Sequence, residues 1–347
     1  MSGRLELRRG TVVSEQPLVV EVAGEHRPAW ADRGLVGEMR VGDEVVVNVA
    51  ALDLGLGSGG FDVVHVSLSR GLEGADSGGG AHVMKLNYSS LQHPVEPVER
   101  GVGESGEDAE VARRVVPVLV LPLHGHLAPA AWAAGQASPE LAVGYVQTGG
   151  GALPGSLSRD IAQLRKRGLL RGHVTAAPAY GGEHEALSTV GALDAAATVL
   201  GWDAVLVGPG PGMIGSETEL GHGGMVALDS AHAALSLGMP TLISPRLSSS
   251  DPRNRHRGLS HHTRTVLNLL LAPVDVAIPE GNPEIAETLA DAGTARHNLL
   301  EAPADLAAYT ASGLPTETMG RTLDDDRLFF AAPLSAGRLL AESRPLD

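Results

Sequence analysis

The chain contains no cysteine, only two lysines, and few aromatic residues, which make up 3% of its 347 positions. Without cysteine there are no disulfides, no thiolate metal sites and no cysteine nucleophile. The absence fits a reducing cytosol. Scarce aromatics leave the core to Ala, Val and Leu, a set suited to packing helices on a parallel sheet. No apolar run approaches membrane-spanning length, and the opening "MSGRLELRRGTVV" lacks the long apolar core of a signal peptide. A soluble cytoplasmic protein with no membrane partner is expected. The net charge of -15 argues against a nucleic-acid partner, because neutralising phosphates takes a broad basic face. The 24 arginines against Lys85 and Lys166 reflect a GC-rich genome rather than function.

The length exceeds a usual single domain and predicts two. Residues 4–69 hold short β-type runs, "LELRRGTVV", "PLVVEVA", "EVVVNVAAL" and "FDVVHVSL", separated by turn chemistry such as "RVGDE". They predict a small antiparallel barrel or sandwich over residues 1–92. The glycines of "LGLGSGG" lie between two of these runs and fit a hairpin loop. "RGLEGADSGGGA" reads as a flexible connector and "HVMKLNYSSLQ" as one more strand. The acidic, Pro/Gly-rich segment from "HPVEP" onward predicts a linker over 93–113.

From residue 114 to 347 the pattern changes. Continuous apolar runs, "VVPVLVLPL", "LAVGYVQT", "HVTAAPA", "DAVLVGP", "PTLISP" and "VDVAIP", alternate with helix-like segments near 156–168, 184–200, 220–238, 260–271 and 282–292. This predicts an α/β domain with a mostly parallel, doubly wound sheet. A (β/α) barrel is the alternative, with a run near 296–300 and "LFFAA" at 328–332 completing eight strands. In either architecture ligands bind at the carboxyl ends of the strands. Nearly every unusual residue falls there: "HGH" (124–126), "TGGGALPGS" (148–156), "YGGEHE" (180–185), "GPGPGMIGSETELGHGG" (208–224) and "PRLSSSDPRNRHRGLSHHTR" (245–264).

The last stretch gathers five arginines, three histidines, four serines and a single acid, Asp251, in an acidic chain. Ser260 is a good N-cap, which places His261 and His262 in a first helical turn, where an anion is welcome and a cation is not. Arginine forks suit phosphate or carboxylate. Arg246, Arg253, Arg255, Arg257, Ser260, His261 and His262 are therefore ligand-binding candidates. The alternative is a solvated basic loop paired with the protein's own carboxylates. Gly210, Gly212 and Gly215 satisfy G-x-G-x-x-G after a strand, but further residues intervene before a helical pattern begins. Backbone amides approaching an anion are the broader reading, and His222 joins the ligand set.

His124 and His126 form a spacing that can hold a divalent metal, the one cofactor these residues suggest; the alternative is two hydrogen-bonding loop histidines. Glu183 and His184 are acid–base candidates, with Asp251 as a further catalytic carboxylate. Ser156 and Ser158 are nucleophile or phosphate-ligand candidates, while no G-x-S-x-G elbow exists. His232 reads as buried structure. Lys85 is either an exposed strand lysine or, if its strand faces the second domain, a compact cation reaching the ligand.

The runs "GAHVMKLNYSSLQ", "GWDAVLVGPGPGMIGSETELGHGGMVALD" and "DPRNRHRGLSHHT" resemble an uncharacterised bacterial family catalogued as a domain of unknown function. The likeness spans most of the chain and implies no activity. The residues themselves point to an enzyme acting on an anionic, phosphorylated or carboxylated small molecule by acid–base or metal-assisted hydrolysis or transfer. An NADP-dependent oxidoreductase and a non-enzymatic metabolite sensor are the alternatives, and the sequence is compatible with an oligomer.

Overall fold

The computed structural model describes residues 4–56, 59–72, 81–103, 114–290 and 295–343. The chain divides into two compact units, Met1–Val95 and Glu96–Asp347. Most of the expected connector at 70–81 and the stretch 104–113 of the expected linker lie outside the described residues. The remainder of that linker is shared out: its first three residues form a strand of the first unit, and 96–103 belong to the second.

In the first unit, β1 (Leu7–Glu15), β2 (Leu18–Val22), β3 (Glu25–Trp30), β4 (Glu44–Asn48) and β5 (Asp62–Ser67) close a barrel in the order β1-β2-β3-β5-β4. All neighbours are antiparallel except β3 and β5. Valines 12, 20, 22, 45, 47 and 64 fill its interior, as period-2 alternation in "EVVVN" requires. Strand β3, "EHRPAW", contributes no buried residue and so carries no apolar alternation to betray it. It is held instead by the ladder to β2 and by Arg27, whose guanidinium donates to Asp62 at 2.6 and 3.1 Å and to Asp53 at 2.6 Å. Strands β6 (Val83–Lys85) and β7 (His93–Val95) pair as a separate hairpin. Strand β6 stops at Lys85 because Leu86 turns to a φ of 48°, so "HVMKLNYSSLQ" is far shorter as a strand than its alternation suggests. Lys85 itself is 2% exposed, which removes the solvent-facing lysine as an account of it.

The second unit is an open eight-stranded sheet. Strands β8 (Val118–Val120), β9 (Val143–Thr148), β10 (His173–Ala176), β11 (His184–Ala186), β12 (Ala204–Pro209), β13 (Thr241–Ile243), β16 (Asp275–Pro279) and β17 (Asn298–Ala302) run in the order β11-β10-β9-β12-β8-β13-β16-β17. Every pairing is parallel. The small hairpins β14 (Leu247–Ser248) with β15 (Gly258–Leu259), and β18 (Glu317–Thr318) with β19 (Arg321–Thr322), lie outside it. Both sheet faces are buried, which is why the strands read as continuous apolar runs. Val118 and Val120 point into one core, Leu119 and Leu121 into the other. Helices Thr189–Thr198, Val226–Ser236 and His261–Leu269 cover the first face; Leu127–Ala137, Arg159–Lys166 and Arg327–Glu342 cover the second.

The doubly wound sheet is thus realised and the barrel is not. "LFFAA" is the start of helix Arg327–Glu342 rather than a strand. The eighth strand is β11, which occupies the start of the helix-like segment at 184–200. Helix Leu127–Ala137 escapes periodicity because it is apolar all round, with every residue from Leu127 to Ala134 buried. It packs tightly on Arg327–Glu342: a Cβ on Gly337 would stand 2.1 Å from the Ala130 carbonyl oxygen. After β8 the chain turns toward β9 on one side, and after β13 toward β16 on the other. Such a reversal opens a crevice at the carboxyl ends of two adjacent central strands.

Candidate functional site

A pocket of about 530 Å³ sits at that crevice, walled by residues following β8, β12 and β13. Two glycine-rich loops build one wall by packing backbone on backbone. A Cβ on Gly151 would lie 2.1 Å from the Gly210 oxygen, and one on Gly223 would lie 1.8 Å from the Gly150 oxygen. The glycines of "TGGGALPG" and "GPGPGMIG" therefore serve close contact between the two loops. Gly210, Gly212 and Gly215 all line the pocket. Beyond them the chain folds into a tight turn, with Gly215 bridged to His222 and the Gly223 N–H donating to the Ile214 carbonyl at 2.8 Å. This turn delivers His222 to the pocket, and a single 3-10 turn then separates it from helix Val226–Ser236. A dinucleotide fingerprint instead runs directly into its helix.

The arginine stretch forms the opposite wall. It folds back on itself through the β14–β15 pair, around Asp251. Asp251 is fully buried and accepts from Arg253 through the backbone N–H at 3.0 Å and through Nε and Nη2 at 2.9 Å each. Arg246 Nη2 and Arg321 Nη2 stand 3.5 and 3.6 Å from the same carboxylate. Arg257 donates to its backbone oxygen at 3.1 Å. Asp326, also buried, accepts from the Ser248 hydroxyl at 2.6 Å, the Ser249 N–H at 2.7 Å and Arg321 Nε at 3.0 Å. Asp251 is thus the loop's internal counter-ion rather than a group presented to a ligand. Burial alone would raise its pKa, but hydrogen bonds from the Arg253 side chain and backbone outweigh it and hold the carboxyl well below the usual range.

Arg246, Arg253 and Arg255 line the pocket, with Glu217 as the one acid among the lining residues. Arg257 does not line it. Arg246 is 4% exposed; burial, then the neighbouring Arg253 charge, push its guanidinium down to about 10, so it stays charged at neutral pH. Arg255 reaches across to the Glu217 carbonyl at 3.1 Å and ties the two walls together.

Ser260 caps helix His261–Leu269, accepting from the His262 N–H at 3.2 Å. Its hydroxyl also pairs with His256 Nδ1 at 2.7 Å. The cap fixes the first turn so that His261 and His262 meet His222 and His256. The His222 and His262 rings stack at 3.5 Å, and the other centroid separations among the four lie between 4.4 and 5.7 Å where the rings touch. Burial, followed by neighbouring cations and imidazoles, lowers the pKa of His256 to about 3, His261 to about 4 and His262 to about 2. His222 is lowered too, first by burial. The cluster is neutral at pH 7. Arg246 Nη1 accordingly donates to His262 Nδ1 at 3.2 Å.

The remaining candidates behave differently. His124 lines the pocket, but its Nδ1 faces the Pro209 carbonyl at 3.2 Å and its Nε2 the Ser158 hydroxyl at 2.7 Å. The carbonyl can only accept, so Nδ1 carries the proton and Ser158 donates to Nε2. Neither nitrogen is left for a metal. His126 turns to a different neighbour, Ser244, at 2.9 Å. Among the described residues, the histidine and carboxylate group close enough to share an ion is His222, His261 and His262, not His124 with His126. Glu183 is taken by an ion pair with Arg165, and it and His184 lie at edge strand β11, outside the pocket lining. Ser158 is the N-cap of helix Arg159–Lys166. Lys85 belongs to the first unit. Sequence inspection misses Met213, Ile214, Thr318 and Met319, which supply apolar lining and a rim; for the first two, only a position inside an unusual loop could have found them.

No curated protein and no solved structure matches this chain. One family does, over residues 29–337, a span that begins in β3 and runs through the parallel-sheet unit almost to the end of the last helix. The chain belongs to the family described as "Protein of unknown function (DUF3866)".

Proposed function

We propose that this protein is an enzyme that binds an anionic small molecule, carrying phosphate or carboxylate, and hydrolyses it or transfers part of it. One observation carries the reading: Arg246 lines the pocket while buried, and its Nη2 has no hydrogen-bond partner. A buried guanidinium with an unsatisfied donor is costly, and Asp251 at 3.5 Å is already shared with Arg253 and Arg321. An anionic oxygen entering the pocket would supply what is lacking. The more exposed Arg253 and Arg255 would offer further forks at the rim. Neutral imidazoles beside a bound anion supply nitrogen lone pairs, able to take a proton from a nucleophile or to hold a metal ion. Arginines would stabilise charge developing on phosphoryl or carboxyl oxygens.

The test is a thermal-shift titration with inorganic phosphate, followed by a turnover screen of phosphorylated and carboxylated metabolites. Phosphate at a hundred times its dissociation constant should stabilise the protein by about 2.7 kcal/mol. Arg246→Lys and the exposed Arg255→Ala should each shrink that gain. Equal stabilisation of wild type and both variants would move the anion site elsewhere. Tight binding across the screen without turnover would favour a sensor, and saturable NADPH binding an oxidoreductase.

A further inference from the structure

The imidazoles of the pocket come from separate parts of the chain, yet His222, His261 and His262 each offer a nitrogen within 4.8 Å of the others. Nε2 of His261 and at least one ring nitrogen of His222, whose other contact is to the Glu219 backbone, are shielded from solvent with no hydrogen-bond partner. Buried polar atoms are nearly always satisfied, so unsatisfied nitrogens on two neighbouring rings call for a missing partner. From this geometry we propose that His222, His261 and His262 form a binding site for a divalent transition-metal ion. The claim stands on the imidazoles alone and does not require an anion in the pocket.

The donor set defines the class of ion. Three neutral imidazole nitrogens suit zinc, and also cobalt, nickel or copper; they do not suit magnesium or calcium, which take oxygen ligands. Two nitrogens on a tetrahedral zinc stand about 3.4 Å apart, given a Zn–N bond of about 2.1 Å. The three nitrogens lie within 4.8 Å of one another, so ligation draws them together by a side-chain adjustment in which the parallel His222 and His262 rings turn toward a common point. Space is already kept for it. A Cβ on Gly224 would stand 3.0 Å from His222 Nδ1 and 3.3 Å from His262 Nδ1, so glycine at this position leaves the flank of both nitrogens open. His262 Nδ1 now accepts from Arg246. Ligation through that nitrogen would release the guanidinium. Three protein ligands leave a position for water or another oxygen donor, on the side lined by the arginines.

The experiment uses the full chain, stripped with chelator and titrated calorimetrically in phosphate-free buffer with zinc chloride, and separately with magnesium chloride. One zinc per chain is expected, with no detectable magnesium binding. Gly224→Ala and His222→Ala should each weaken zinc at least tenfold, while His184→Ala, outside the pocket, should not change it. Cobalt substituted for zinc should give intense visible bands of a four-coordinate site in the wild type, a readout independent of any variant's folding. Absence of stoichiometric zinc binding, or zinc binding unchanged in both Gly224→Ala and His222→Ala, overturns the proposal. Zinc binding without phosphate binding upholds it and contradicts the anion reading instead.

Discussion

Replacing Asp251 with alanine is expected to destabilise the protein by about 3–5 kcal/mol, the usual cost of removing one partner from a buried ion pair. The carboxylate is 0% exposed and lies within 3.6 Å of three guanidiniums. Two of those, on Arg246 and Arg321, are themselves largely buried; Arg321 keeps Asp326 at 3.0 Å, but Arg246 would be left without a nearby anion. Urea denaturation monitored by circular dichroism measures the loss. Asp251→Asn preserves shape and part of the hydrogen bonding, so it should fall between alanine and wild type. A change under about 1 kcal/mol for both variants would mean that the arginine wall does not depend on its internal anion, since surface substitutions stay within about 0.5 kcal/mol. The folded carboxyl is depressed, so its contribution is present in full above the ordinary aspartate value of 3.8. It is lost as the pH falls below that value toward the lower folded one.

A second large effect belongs to a different pH window. In chelator-treated protein, His256, His261 and His262 titrate near 6.5 when unfolded and only at about 3, 4 and 2 when folded. Between pH 6.5 and 4 the unfolded chain therefore binds more protons, and stability must fall as the pH falls. Each such imidazole contributes at most about 1.4 kcal/mol per pH unit. Three acting together would make the acid limb steep. A His261→Gln, His262→Gln double variant should make the limb shallower between pH 6.5 and 4, with His256 and His126 still contributing, while leaving the fall below pH 4 that belongs to Asp251. Wild-type stability that stays level from pH 7 to pH 4.5 would contradict a cluster held neutral by burial.

The two regimes of the chain were legible because each periodicity has one cause. Alternating valines line a small barrel, and unbroken apolar runs form a sheet buried on both faces. What stayed hidden carried no period of its own: β3, secured by Arg27 and its carboxylates, and helix Leu127–Ala137, apolar on every side. The pocket's legibility followed the same logic. Carboxyl-end loops were visible as oddities after each strand, and the residues that line the pocket come largely from them. Their division of labour was not visible. The arginine stretch contains both a wall of the pocket and the carboxylate that holds it, and only tertiary contacts separate Arg246 from Arg257 or Asp251 from a catalytic acid. His124 and His126 have a chelating spacing in sequence, yet a 3-10 turn sends their rings to Ser158 and Ser244. The imidazoles that do converge are 39 and 40 positions apart from His222 to His261 and His262, brought together by a loop turn and a helix cap. No local pattern encodes that.

The central claim is that the pocket over β8, β12 and β13 is where this protein holds an anion, with Arg246 as its buried cation. Side-chain 1H–15N spectra of the histidine rings and arginine Nε–H groups, recorded during titration with inorganic phosphate, test it most directly. Saturable shifts are predicted for Arg246, Arg255, His222, His261 and His262, with His184 and Arg165 unmoved at the sheet edge. Saturable phosphate binding that leaves Arg246 and the histidine cluster unshifted would contradict the claim.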